Sequence, residues 1–338
     1  MNQFGRLFRV HCFGSSHGPF IGVMIDAPKP GMDLCVADFD QALLRRRGGV
    51  LGTTSRVESD QPNLISGWAD GRTTGAPLTL LFENQHQRSG DYQPLEAFYR
   101  PGHADWTAQV KYQGYQEKAG GGIFSGRMTL ALVAAGVVAK KQLLPQIRIH
   151  ARLVEVGGVS VENEHDPQIE AIMLTCRKAG DAVGGIVECC CEGVPAGWGE
   201  PFFDSVESLI AHAVFSIPGV RGIEFGDGFS AARMKASQHN DRYVGPNGQT
   251  DKNGAGGING GITNGNPLVF RVAFKPTNSI EMIQSTWNHE TQEMAPLQIK
   301  GRHDTCFALR TPVVVESVAA MVLADLQLLS GCGNTCSR

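Results

Sequence analysis

The spacing of apolar and polar residues changes several times along this chain, and each change marks an element. Phe20 to Ala27 is a mostly apolar run that reads as a strand and stops at a Pro28/Pro30/Gly31 turn. Leu78 to Phe82, just after Pro77, and Ile147 to Val156 predict further strands. Gly219 to Phe225 and Pro267 to Lys275 predict strands that feed glycine-rich turns, and Leu7-Phe8-Arg9-Val10 a short strand ahead of one. Helical spacing takes over from Ala37 to Arg47, where Phe39, Leu43 and Leu44 share a face. Gln168 to Lys178, Ser205 to Phe215 and Val314 to Leu328 are the other predicted helices. Ser125 fits as the N-cap of an apolar segment reaching Leu144. Its uncharged part, Met128 to Ala139, has no polar face and predicts a helix buried all round.

Strands and helices thus alternate irregularly, without the βαβ cadence of a doubly wound sheet. No Pro/Ser-rich linker divides the chain and no repeat is evident, so one domain over residues 1–338 is expected. Hydrophobic content of 42% with 19% charged is ordinary and sufficient for a core. The anomaly is forty-two glycines. They are not periodic, which excludes collagen and flexible linkers. They gather at strand–loop junctions, where backbone bends sharply or approaches a ligand.

A net charge of −3, with no basic run longer than Arg45-Arg46-Arg47, argues against nucleic-acid or membrane-surface binding. Met1 to Arg9 lacks an apolar signal core and no stretch approaches 18 apolar residues, so a cytoplasmic location is expected. Nine cysteines, an odd count in a chain too long to need staples, point to reduced thiols. Cys189-Cys190-Cys191 falls in a buried strand within Gly185–Val194. Cys332 and Cys336 have no second pair or histidine nearby, and no zinc site is expected.

Chemistry concentrates in five blocks. In Arg100-Pro101-Gly102-His103-Ala104-Asp105, Pro101 fixes its own φ and Gly102 frees the next turn, so His103 is aimed by backbone geometry between a cation and a carboxylate. A fixed histidine so flanked suits acid–base work near neutrality. Gly14-Ser15-Ser16-His17-Gly18 holds a second histidine between glycines. Gly120-Gly121-Gly122 opens the apolar helix, where free N–H groups favour an anion such as phosphate. It has neither the Lys-[Ser/Thr] of a P-loop nor a dinucleotide fingerprint. The glycine-rich run from Asn253 to Gly265, followed by Lys275-Pro276-Thr277-Asn278-Ser279, describes backbone lying against a flat or phosphorylated ligand. Gly301-Arg302-His303-Asp304 sets cation, imidazole and carboxylate side by side.

These blocks, together with Gly222-Ile223-Glu224-Phe225-Gly226-Asp227-Gly228-Phe229, resemble the chorismate synthase family over nearly the whole chain. The resemblance implies an α+β layered sandwich, with central helices between antiparallel β-sheets, assembled as a homotetramer. It implies a carbon–oxygen lyase that removes phosphate and a C6 hydrogen from 5-enolpyruvylshikimate 3-phosphate to give chorismate. That step is a 1,4-anti elimination without net redox change, the last of the shikimate pathway to aromatic amino acids. The cofactor implied is reduced FMN, supplied by a separate flavin reductase.

Roles carry over residue by residue. His17 matches the general acid for the leaving phosphate, His103 the proton donor to reduced flavin, and Asp304 the base near flavin N5. Arg46, Arg100, Arg127 and Arg302 match anion-clamping positions, for which planar guanidinium groups are suited. Ser125, Gly219, Gly260, Lys275, Thr277, Asn278, Ser279 and Arg302 match flavin contacts. The chain departs from the pattern at Ser15, which replaces a glutamate, and at Gly122-Ile123-Phe124-Ser125-Gly126-Arg127, which lacks one arginine. A second substrate arginine is replaced near Gly52, with Arg56 the nearest substitute. The rival reading is a non-catalytic homologue that binds flavin or a phosphorylated acid.

Overall fold

The structure, a computed structural model, describes residues 2–56, 58–85, 97–117, 119–163, 166–301 and 303–331. Two five-stranded sheets, antiparallel at every pairing, enclose a layer of helices. The first sheet is built from β1 (Gln3–Phe4), β2 (Val10–Gly14), β3 (Phe20–Ile25), β4 (Asn63–Ser66) and, after the small hairpin β5 (Trp68–Ala69)/β6 (Arg72–Thr73), β7 (Leu78–Glu83). Its strand order is β1-β2-β3-β7-β4. Helix α1 (Asp40–Arg46) lies within this half, and α2 (Asp105–Lys111) and α3 (Thr129–Gln142) follow it.

The second sheet uses β8 (Arg148–Val156), β9 (Val159–Ser160), β10 (Gly185–Glu192), β11 (Val220–Phe225) and β14 (Leu268–Phe274). Its order is β11-β14-β10-β8-β9. Between these strands run α4 (Pro167–Ala179), α5 (Val206–Val214), α6 (Ala236–His239) and the hairpin β12 (Ile258–Asn259)/β13 (Ile262–Thr263). The hairpin β15 (Gln284–Asn288)/β16 (Glu293–Leu297) and helix α7 (Pro312–Leu329) complete the described chain. The layered α+β sandwich expected from the motifs is thus the fold.

Period-2 alternation explains the sheets. Ile21, Val23 and Ile25 of β3 and Leu78, Leu80 and Phe82 of β7 are buried. So are Val187, Cys189 and Cys191 of β10 and Leu268, Phe270, Val272 and Phe274 of β14. Each such side chain contributes roughly 1.5–3 kcal/mol on leaving water. Helix α3 packs on β2 and β3, α7 covers β8 and β10, and the two helices pack on each other. Their approach is close: a Cβ on Gly136 would lie 2.5 Å from the Cα of Ser317. Glycine is required there to let the two backbones meet. Ser125 caps not α3 itself but the short 3-10 turn Gly126–Met128 that leads into it, accepting the Arg127 N–H at 3.2 Å; the residue before α3 is Met128, which makes no side-chain cap.

Three expectations are corrected. Leu44 is 64% exposed, because Phe39 and Leu43, four apart, take the buried face of α1 and the next residue turns outward. Leu7-Phe8-Arg9 is not strand; the N–H groups of Arg6, Leu7 and Phe8 instead donate to the carboxylate of Asp325 on α7. Helix α7 is, among the described residues, long and apolar enough to cross a membrane, yet 83% of it is buried inside the protein. Glu316 and Asp325 within it hold Arg45, Lys140 and the amino-terminal loop, as suits a core helix. The Cys332/Cys336 pair lies outside the described residues.

Candidate active site

A cleft of about 580 Å³ opens between segments drawn from seven regions of the chain, a size suited to small-molecule ligands. Its lining includes His17, Arg46, Arg100, His103, Ser125, Arg127, Gly219, Lys275, Thr277, Asn278, Ser279 and Asp304. Of the other site residues expected, Gly260 sits in the turn between β12 and β13, away from the cleft. Its neighbour Gly261 packs against Ser205, which draws that hairpin toward α5. Arg302 lies outside the described residues.

His17 is presented by a tight turn at the end of β2. Gly14 has φ 86°, and a Cβ there would lie 2.2 Å from the carbonyl oxygen of Phe20. The Ser15 hydroxyl closes the turn by accepting the Gly18 N–H at 2.9 Å. Orientation of the imidazole falls to the next residue, with Ser16 Oγ 3.0 Å from His17 Nδ1.

His103 is aimed through Asp105, the first residue of α2. The carboxylate Oδ1 lies 2.6 Å from His103 Nδ1 and accepts Arg100 Nη2 at 2.7 Å, while Oδ2 accepts Arg100 Nε at 2.8 Å. Burial alone would push the Asp105 carboxyl up, but hydrogen bonds from Arg100 and His103 outweigh it and hold the group well below the usual carboxylate range. The Lys275–Ser279 loop is tied to this motif. Lys275 Nζ donates to the Gly102 carbonyl at 2.8 Å and Asn278 Nδ2 to the Pro101 carbonyl at 3.1 Å. Burial, with help from Arg221, draws the Lys275 ammonium below its ordinary value.

The two histidines meet over the Gly120–Gly122 loop, where all three residues have positive φ. A Cβ on Gly120 would lie 1.9 Å from His17 Nδ1, and one on Gly121 3.2 Å from His103 Nε2. Consecutive Cα atoms are about 3.8 Å apart, so the two rings are neighbours across bare backbone.

Charge crowds the remaining walls. Asp60, 1% exposed with φ 51°, gives one oxygen to Arg46 at 2.5 Å and the other to Arg127 at 2.9 Å. Glu58 pairs with Arg56 at 2.7 Å, and Arg56 also donates to the Ser16 carbonyl at 3.2 Å. Burial pulls the Arg46 guanidinium down to about 10, with Arg310 and Arg127 adding to the effect and Asp60 opposing it. Asp304 is gripped by Arg310 through both oxygens, at 3.0 and 2.8 Å, and accepts the Thr54 N–H at 2.9 Å. Arg310 in turn stacks on Phe307, 4.9 Å from the ring centroid. Burial, reinforced by Arg100, lowers the pKa of the adjacent His303. Counting lining residues, Arg46, Arg47, Arg56, Arg100, Arg127, Arg310 and Lys275 face Glu58, Asp60 and Asp304, seven cations to three carboxylates. Such a surplus selects a polyanionic ligand.

A flavin fits what these residues offer. The glycine strip leaves open backbone where any side chain would strike an imidazole. At Gly219, φ 87°, a Cβ would meet the Phe307 ring at 3.6 Å and the Phe274 ring at 4.0 Å, so bare backbone edges the cleft beside these aromatics. Sequence reasoning did not single out Glu58, Asp60 or Arg310, whereas His303 stood within the Gly301–Asp304 block. Only the nearness of Arg310 to the Gly301–Asp304 block was a local signal for any of the first three.

Comparison with known proteins points to one family. A family model described as chorismate synthase matches residues 8–328. A chorismate synthase of Chitinophaga pinensis is 56% identical over 329 residues, 97% of each chain. One from Korarchaeum cryptofilum is 42% identical, covering 95% of this chain and 96% of its own. A solved structure titled "Crystal Structure of Chorismate Synthase" superposes with a TM-score of 0.74 at 26% identity, over 96% of this chain and 93% of that one.

Proposed function

The chain belongs to the chorismate synthase family, and from that premise we propose how its cleft carries out the reaction. The activity is that of a carbon–oxygen lyase that forms chorismate from 5-enolpyruvylshikimate 3-phosphate, with a flavin as cofactor. The flavin is reduced FMN, and Ser125, Gly219, Lys275, Thr277, Asn278 and Ser279 would hold it; Arg302 and Gly260 join this set by resemblance alone. Bound there, reduced flavin supplies electron density to the reacting ring and a basic atom for the departing hydrogen.

The protein's own groups then divide the work. Arg46, Arg100 and Arg127 clamp the phosphate and carboxylates and offset leaving-group charge. His17, aimed by Ser16, protonates the departing phosphate oxygen. His103 keeps its Nδ1 hydrogen on Asp105, which leaves Nε2 facing the glycine strip to hold or pass a proton. Asp304, steered by Arg310, serves the C6–H step.

The observation that carries this reading is the meeting of His17 and His103 across Gly120-Gly121 inside a cationic cleft. The rival, a homologue that binds without turnover, is not favoured: curated chorismate synthases match almost end to end. The chain is further proposed to fold as one domain, to work in the cytoplasm, to draw reduced FMN from a separate flavin reductase, and to assemble as a homotetramer. Phe202 and Phe203, 86% and 92% exposed, offer apolar surface for such an assembly. The deciding experiment is an anaerobic assay with photoreduced FMN and 5-enolpyruvylshikimate 3-phosphate. Release of phosphate together with chorismate absorbance supports the reading; flavin binding without product rejects it.

A further inference from the structure

Asn84 directly follows β7, belongs to none of the sequence motifs, and does not line the cleft. It is 9% exposed. Its amide is nonetheless committed on both ends. Oδ1 accepts Nε of Arg127 at 2.6 Å, while Nδ2 donates to the carbonyls of Ser15 at 3.0 Å and Gly18 at 2.7 Å. Guanidinium can only donate and carbonyls can only accept, so partner chemistry fixes which way the amide points. The Asn84 N–H adds a bond to the Pro19 carbonyl at 3.1 Å.

The consequence lies in what these partners are. Ser15 and Gly18 bracket His17, and Arg127 is anchored from its other side by Asp60. One buried side chain thus ties an arginine of the anion clamp to the turn that carries the second imidazole. We propose that Asn84 is a positioning residue that sets His17 relative to Arg127, so that a phosphate held by the guanidinium meets the proton on the ring. This rests on the reading above, in which His17 is the acid and Arg127 part of the clamp.

Asn84→Asp separates the two links. It keeps an oxygen for Arg127 at nearly unchanged shape, but replaces both donors to the Ser15 and Gly18 carbonyls with an acceptor. In the anaerobic assay the variant should lose about 10- to 100-fold in kcat, as misplacement by roughly 1 Å does, with KM for the enolpyruvyl phosphate within about threefold. In a His17→Ala background the same change should lower the residual kcat by less than about threefold, because no imidazole remains to misplace. A merely structural role would give losses that multiply in the double variant. Wild-type kcat in Asn84→Asp, or a loss that repeats undiminished without His17, overturns the inference and leaves His17 as the acid. Near-normal turnover of His17→Ala overturns both readings together. If Asn84→Asp does not fold, Asn84→Ala, which removes both donors along with the oxygen for Arg127, is put through the same cycle and decides it.

Discussion

His103 Nδ1 lies 2.6 Å from Asp105 Oδ1, and that same oxygen accepts a hydrogen bond from Arg100. The carboxylate therefore holds the imidazole by one nitrogen and turns the other toward the glycine strip. Asp105→Asn keeps the shape but no longer commands the Nδ1 hydrogen. Turnover should fall by about 10²-fold or more, the lower end of what a misassigned acid–base group costs. Steady-state kinetics with a flavin-binding titration would check it; normal kcat would show that the pair is not needed.

The same carboxylate sets a pH dependence of stability. Its pKa is lower folded than unfolded, so its contribution is fully present above the ordinary carboxylate value of about 4 and is lost as pH falls below that. Thermal melts at falling pH should lose stability more steeply below about pH 4 in the wild type than in Asp105→Asn. Parallel curves would refute the linkage.

His17→Ala should bind flavin as well as the parent while turnover drops about 10²–10⁴-fold, the range for general acid catalysis. Activity near normal would remove the acid role.

Gly120→Ala places a methyl where His17 Nδ1 now sits, 1.9 Å from the new Cβ. The ring must swing away, so activity should be lost. Gly71→Ala is the control: its φ is 79°, and a Cβ there meets nothing within 4 Å. Both carry the backbone strain of a left-handed alanine, about 1–2 kcal/mol, but only the first has the collision. Equal activities of the two variants would contradict the placement of His17.

Arg56→Met should take from the Glu58 carboxylate, whose side chain is 1% exposed, its guanidinium partner while leaving it the Gln85 N–H, and lower stability by about 1–3 kcal/mol. Adding Glu58→Gln should restore much of that loss. Denaturant unfolding of the single and double variants tests this, and a double variant no better than the single would count against it.

Much of this molecule was legible from local pattern alone. The short run Gly185–Val194 gave away β10 and its cysteines, an all-apolar segment gave away α3, and a capping serine marked the turn that leads into that helix. The histidines were visible because glycine and proline beside them restrict or free the backbone within two residues. These are short-range effects, and a linear string records them. The tertiary structure alone decided that Leu44 faces solvent, that Arg6 to Phe8 hang on a carboxylate in α7, and that Gly260 stays outside the cleft. It alone brought Arg127 to Asp60 across 67 positions and Arg6 to Asp325 across 319. Such pairings depend on where the folded path brings distant segments, and burial away from water then makes each charge seek its partner.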